Sequence, residues 1–298
     1  MLSDLHYIKR EKIVLWGTTQ SGSLIFLGVP GKLTIKKDKG AANMLSAKLK
    51  VDEKKERLIK IKAECGTKVI FEGIPDEEIY TESALGTYLE IIARCNISLL
   101  LDNEVMPQEI KNPSLSFFSK RFLEPYGFKI KSNTEKAFGK IKASKGMSVL
   151  SFLNSFLKSA YETSPVIKSD GSVYLLSEYT PENVRIREDK LIKMETARKT
   201  SDIISEYIFP DFITGAYTKS ISNKNANGII RKKYRDEAKL LDFTIYNNVK
   251  LTLEGFVDCE VYDKVASLGE EGLIESIRYE RKAEGDYTLI EFKSREEV

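Results

Sequence analysis

Near its C-terminus the chain carries the residue types of a metal-dependent nuclease. Asp286 precedes Glu291-Phe292-Lys293, and Asp258 and Asp263 lie upstream. Two such acids could hold Mg²⁺ while a lysine stands beside the attacking water. The same Glu-x-Lys spacing is also what the wet face of an alternating strand carries. Tyr287, Leu289 and Phe292 would then form the opposite face, with the pattern slipping by one near Ile290. The strand is the simpler explanation. Other chemistries are excluded by what is missing. His6 is the only histidine, so neither a histidine metal site nor a Ser–His–Asp triad of the usual kind can form. There is no CxxC pair, HExxH, G-x-x-x-x-G-K-[ST] loop or G-x-G-x-x-G turn, and Gly31-Lys32 lacks the upstream glycine of a phosphate cradle. The expectation is a chain with no catalytic, cofactor-binding or metal-binding residues and no cofactor.

Basic clusters pose a second possibility. Lys36, Lys37 and Lys39 lie close together, as do Lys54, Lys55 and Arg57, and Arg231, Lys232, Lys233 and Arg235. A nucleic-acid binder would gather such charges on one face and interleave aromatics. Here Glu53, Glu56, Asp236 and Glu237 interrupt the runs, which suits solvated turns and strand ends. No sequence-specific nucleic-acid partner is expected.

Composition is that of an ordinary globular protein. The 298 residues are 42% hydrophobic and 31% charged, with a net charge of +3. That length accommodates two domains or three small ones. No apolar run approaches the roughly 18–20 residues that cross a bilayer, and no signal-peptide core begins the chain. Cys65, Cys95 and Cys259 are odd in number and far apart, as buried thiols of a protein made in a reducing cytoplasm would be.

The elements follow from periodicity. Lys12–Trp16 and Leu24–Leu27 are apolar runs separated by Gly17, Ser21 and Gly22, a hairpin signal. Leu45, Ala47, Leu49 and Val51 alternate with polar partners, as do Ile59, Ile61 and Ala63. Val69-Ile70-Phe71 reads as a strand closed by Gly73, and Tyr88–Ala93 as another. From Leu99 the pattern becomes a strand end, a polar turn and a helix. Asn112 is a suitable N-cap, Pro113 suits the first helical position, and Pro125 with Gly127 ends the run. Leu115, Phe118, Phe122 and Leu123 share its apolar face. Ser148 caps a second helix with Leu150, Leu153, Phe156, Leu157 and Ala160 on one stripe. Asp170-Gly171 marks a hairpin between Pro165–Lys168 and Val173–Leu176. Beyond Thr180, strands are expected at Ala216–Ile221, Ile229–Tyr234, Phe243–Tyr246, Lys250–Leu253, Cys259–Val261, Gly272–Arg281 and Tyr287–Lys293, with turns at Asn227-Gly228 and Glu284-Gly285.

One stretch resembles a known family. The turn LLDNE-x-x-P-Q (Leu100, Asp102, Asn103, Pro107, Gln108), the helix start at Asn112 and Pro113, the exit Pro125-Tyr126-Gly127 and the later Lys145-Gly146 are similar to the tail hub proteins of contractile phage tails. The closest likeness is to the late control D-like hubs of defective prophages and R-type bacteriocins of Gram-positive bacteria, and it runs from about Leu99 to Gly171. The resemblance implies an α+β, mostly β fold: a first tube-like antiparallel β-barrel over 1–102, a mixed α/β module over 103–179, and a second barrel with additions over 180–298. It implies a homotrimer whose six barrels match a hexameric tail tube protein above and whose threefold axis meets the central spike protein below. Baseplate wedge or tape-measure proteins would be further partners. The role would be structural, in a particle assembled in the bacterial cytoplasm and then released, with spike and lysin as separate polypeptides and no membrane insertion by this chain. A non-hub virion adaptor and the metal-dependent nuclease are the alternatives.

Overall fold

A computed structural model of the chain describes residues 12–295 other than 133, 137, 199–202, 212, 225, 227, 229, 236–243 and 245. The first part is all β: β1 (Ile13–Thr19), β2 (Leu24–Gly28), β3 (Lys32–Asp38), β4 (Met44–Val51), β5 (Leu58–Cys65), β6 (Lys68–Ser83) and β7 (Gly86–Cys95). Alternation does what it predicts in β4, where Leu45, Ala47, Leu49 and Val51 are buried and their neighbours exposed. In β5 it is displaced. A register shift at Thr18/Thr19 turns Leu58 inward and leaves Ile59 exposed, so Ile59 is not on the core face. Gly73 does not close a strand either. β6 runs on through Gly73 and Pro75, with an irregularity between Pro75 and Glu77, and continues against β7 to Ser83.

The middle part holds α1 (Ile97–Asp102), β8 (Gln108–Lys111), α2 (Leu115–Phe118), β9 (Lys129–Ile130), β10 (Lys140–Ala143), α3 (Val149–Tyr161), β11 (Pro165–Ile167) and β12 (Ser172–Leu175). Leu99 and Leu100 belong to α1, so the expected strand end is a short helix. The helix start also shifts. Ser114 is the N-cap of α2, its hydroxyl accepting from Phe117 N at 3.1 Å, while Asn112 has φ +48° and lies outside the helix. α2 continues as a π-helical turn (Ser119–Leu123) and a 3₁₀ turn (Glu124–Tyr126) that contains Pro125 and ends on left-handed Gly127. Ser148 caps α3 as expected, accepting from Ser151 N at 3.2 Å. Phe118 stacks on Phe156 at 4.8 Å between ring centroids and packs against Phe152 at 5.1 Å, joining the two helices. The Asp170-Gly171 hairpin joins β11 and β12.

The last part contains β13 (Asn183–Arg185), β14 (Leu191–Arg198), β15 (Glu206–Pro210), β16 (Tyr217–Ser222), β17 (Lys232–Tyr234), β18 (Tyr246–Glu254), β19 (Lys264–Ser267), β20 (Glu270–Lys282) and β21 (Gly285–Arg295). Cys259–Val261 is loop, not strand. The expected strand at 243–246 and the turn at 227–228 fall largely outside the described residues. On β21, Ile290 and Phe292 are buried, whereas Leu289 and Tyr287 share the outer face of Glu291.

The fold is mostly β, as expected, but two closed barrels are not seen. β20 pairs antiparallel with β3 from Ser276↔Asp38 to Arg281↔Leu33. One 13-stranded sheet therefore runs through both ends of the chain, in the order β14-β18-β21-β20-β3-β4-β7-β6-β5-β1-β2, with β13 and β19 branching from β20. Its inner face shares a continuous apolar core with α1, α2 and α3. β15, β16 and β17 form a separate small sheet around Ile204, Tyr207 and Phe209.

Candidate functional site

The acids singled out in sequence do not converge. Glu291 and Lys293 point outward from β21, where Glu291 pairs with Lys250 at 3.2 Å and Lys293 with Glu275 at 3.5 Å. Asp286 accepts from Nε and Nη2 of Arg281, and Asp258 pairs with Lys68. Among the described residues no group of three or more His, Cys, Asp or Glu side chains could hold a metal ion. Many members of the basic clusters are taken up by neighbours. Lys36 pairs with Asp38, Lys55 with Glu53 and Lys232 with Glu206, while Lys54 lies over the Tyr80 ring and Arg235 over Tyr207.

One concavity lies where the three parts of the chain meet. A cavity of about 340 Å³ is bounded by the β3–β4 turn (Asp38 to Asn43), α1 and α3 (Ile97, Asn154), β11 with Lys168, and the loop Glu260–Tyr262. Beside it the loop from Cys259 to Asp263 is tied down from several directions. Lys37, buried on the core face of β3, reaches Glu260 at 2.7 Å. Asp263 is buried. Its Oδ2 accepts from Glu260 N at 2.8 Å, and its Oδ1 accepts from the Tyr179 hydroxyl at 3.2 Å and stands 3.6 Å from the Lys168 ammonium. Burial pushes the Asp263 carboxyl above its usual range, against the pull of the Glu260 N–H and Lys168. Burial also opposes charge on Lys168, but the Tyr179 hydroxyl and Asp263 outweigh it and keep its pKa raised. Burial pushes the Cys259 thiol up to about 12, so it stays protonated at neutral pH. Its neighbour Tyr279 donates from its hydroxyl to Val257 O at 2.9 Å.

This arrangement is a strut between layers. It offers a charged clamp and two un-ionised groups, with no nucleophile paired to a base. Lys37 was legible in principle, since it shares the parity of Leu33 and Ile35 on β3 and so occupies an apolar position. Asp263 and Lys168 gave no such signal, because they lie in turns whose meeting depends on the whole fold.

The positions that carried the family likeness are spread over the middle part. Leu100 is buried in α1, and Asp102 at its end forms a two-bond pair with Arg94. Asn103 caps α1, donating from Nδ2 to Leu99 O at 2.8 Å, and its carbonyl accepts from Val149 N at the start of α3. Gln108 accepts from Arg121 at 3.1 Å and, with Pro125 and Tyr126, lines a shallow dent of about 220 Å³. Pro107, Asn112, Lys145 and Gly127 are exposed, Pro113 is buried, and Gly146 takes a left-handed turn at φ +79°. They share no catalytic geometry.

No protein-family model matches the chain, and no curated protein matches it in sequence. Solved structures do share its fold from end to end. The tail protein from Neisseria meningitidis MC58 superposes with a TM-score of 0.71 at 14% identity, over 95% of this chain and 96% of that one. The tail protein of prophage MuSo2 from Shewanella oneidensis gives 0.72 at 14% identity, over 95% and 98%. An Escherichia coli component of the type VI secretion system, described as similar to the T4 tail proteins gp27 and gp5, gives 0.59 at 8% identity, over 90% and 74%. The chain therefore has the fold of phage tail and type VI secretion proteins. Among the described residues no helix is long and apolar enough to cross a membrane.

Proposed function

We propose that this chain is a structural tail protein, the baseplate hub of a contractile injection particle. The observation that carries the reading is the likeness in fold to tail proteins over 95% of its length. In this reading the segments 1–102 and 180–298 supply two tube-like halves, joined here through β3 and β20. The segment 103–179 is the module between them. Three copies would present six similar halves to a hexameric tail tube and a threefold face to the central spike, so that one ring reconciles two symmetries. Wedge or tape-measure proteins are further contacts in the same scheme. Assembly would take place in the bacterial cytoplasm, before release with the particle.

Much of the contact between copies would be polar, so the isolated chain is expected to be monomeric and to trimerise when tube and spike proteins fix the geometry. Light scattering of the chain alone and with both partners tests this. Reconstruction of the purified particle tests the role itself. Three copies around an open channel at the tube–spike junction support the hub, and one or six copies there overturn it.

A further inference from the structure

β6 pairs with β5 over its first part and with β7 over its second, the two pairings meeting at Gly73. β5 pairs with it from Lys68 to Gly73, and beyond the irregularity at Pro75 only β7 pairs with it, from Glu77 to Ser83. The backbone groups of this stretch that point away from β7 have no backbone partner among the described residues. Two rows of side chains flank the open edge. The outer row, Glu77, Ile79, Thr81 and Ser83, is exposed. The inner row is fastened from below, where Glu78 Oε1 accepts from Leu58 N at 2.9 Å and the Tyr80 hydroxyl accepts from Lys55 N at 3.3 Å. An open groove of about 450 Å³ runs between the edge and this loop, walled by Lys54, Lys55 and Arg57.

Charge restricts what can lie there. From Val69 to Ala93 the chain contains Glu72, Asp76, Glu77, Glu78, Glu82 and Glu90 but no lysine or arginine. Glu72 and Asp76 are taken up by Lys60 and Arg94, whereas Glu77 and Glu82 make no ion pair among the described residues. Two copies of this edge meeting each other would set acid against acid, so the edge repels itself.

We propose that the edge from Glu77 to Ser83 is a strand-addition site for an extended segment of a partner protein. One row of that segment is basic and apolar, facing Glu77 and Ile79. The alternate row, over Lys54, Lys55 and Arg57, is small. Backbone hydrogen bonds supply the binding and the alternation supplies the selection.

The test uses the purified chain and a short, end-blocked, fluorescent peptide that alternates Lys or Ile with Ser. Anisotropy should show binding, and the amides from Ile79 to Ser83 should gain hydrogen-exchange protection. A Glu/Ile/Ser peptide and a backbone N-methylated version should each bind at least about tenfold more weakly, a difference easily resolved. The variant Glu77→Lys, altered only at an exposed position of the outer row, should reverse the preference between basic and acidic peptides. Three results would overturn the proposal: no binding of the basic peptide, equal binding of both charges, or undiminished binding of the N-methylated peptide.

Discussion

Asn112 has a left-handed backbone, and that removes it from the N-cap, where the residue is extended. Ser114 takes the role, and the Glu135 carboxylate accepts from Leu115 N and Ser116 N, so the first turn is capped twice. Ser114→Ala should cost about 0.5–2 kcal/mol. Asn112→Ala should cost up to about 1 kcal/mol, because alanine lacks the short polar side chain that lets asparagine hold a left-handed backbone, and Asn112→Gly, which removes the Cβ, should be neutral or slightly stabilising. Urea denaturation of the three variants separates the two mechanisms. A cap at Asn112 would instead make Asn112→Ala the costliest of the three in the absence of any strain. Asp263 makes a different prediction. Its native pKa lies above its unfolded value, so the native state binds the proton more tightly. The associated stability is fully present below the ordinary carboxylate pKa and is lost as pH rises through the raised native value. Asp263→Asn removes this titration, so the stability gap between variant and wild type should favour the variant most at neutral pH and close as pH falls. Denaturation at several pH values reads that gap.

At the scale of elements, much was legible. The alternation in β4, the Ser148 cap of α3 and the Asp170-Gly171 hairpin needed only local rules. What was hidden lies where the chain breaks its period. The shift at Thr18/Thr19 exchanges Ile59 for Leu58, and β6 passes through Gly73, which reads as a stop. Gly73 is present in mid-strand because β7 comes too close for a side chain, and a methyl there would press on the Arg94 carbonyl and the Phe71 ring. Gly73→Ala should therefore cost roughly 1–3 kcal/mol and loosen β6 from β7, visible as faster amide exchange in both strands. If Gly73 merely terminated a strand, the substitution would be harmless. The candidate cavity was the least legible feature. Lys37, Lys168, Asp263 and Tyr179 come from four separate stretches, and no spacing in sequence relates them.

At the scale of the molecule, the small sheet of β15, β16 and β17 stands apart from the main core, with its own cluster of Ile204, Tyr207 and Phe209. Ile213 and Ile230 on it are 93% and 89% exposed. With so little apolar burial it should open on its own, and its amides should exchange well before those of β3, β4 and β20. Simultaneous exchange of both sets would mean that the small sheet is part of the global unit.

The pairing of β3 with β20 also dictates an order of events during synthesis. Ile35 is made long before its partner Tyr279, and the Arg281 guanidinium that reaches Ile13 O spans 268 positions. Until then β3 presents an unfilled edge on the ribosome, with Lys36 and Lys37 beside Leu33 and Ile35. Loop closure over such separations is slow, and the sheet cannot be completed before β20 has been made. A stop codon before β20 would thus release an open-edged chain, prone to aggregate, in place of a shorter folded protein. β20 acts as a check on the sheet, because only a chain that extends through β20 can cover the edge of β3.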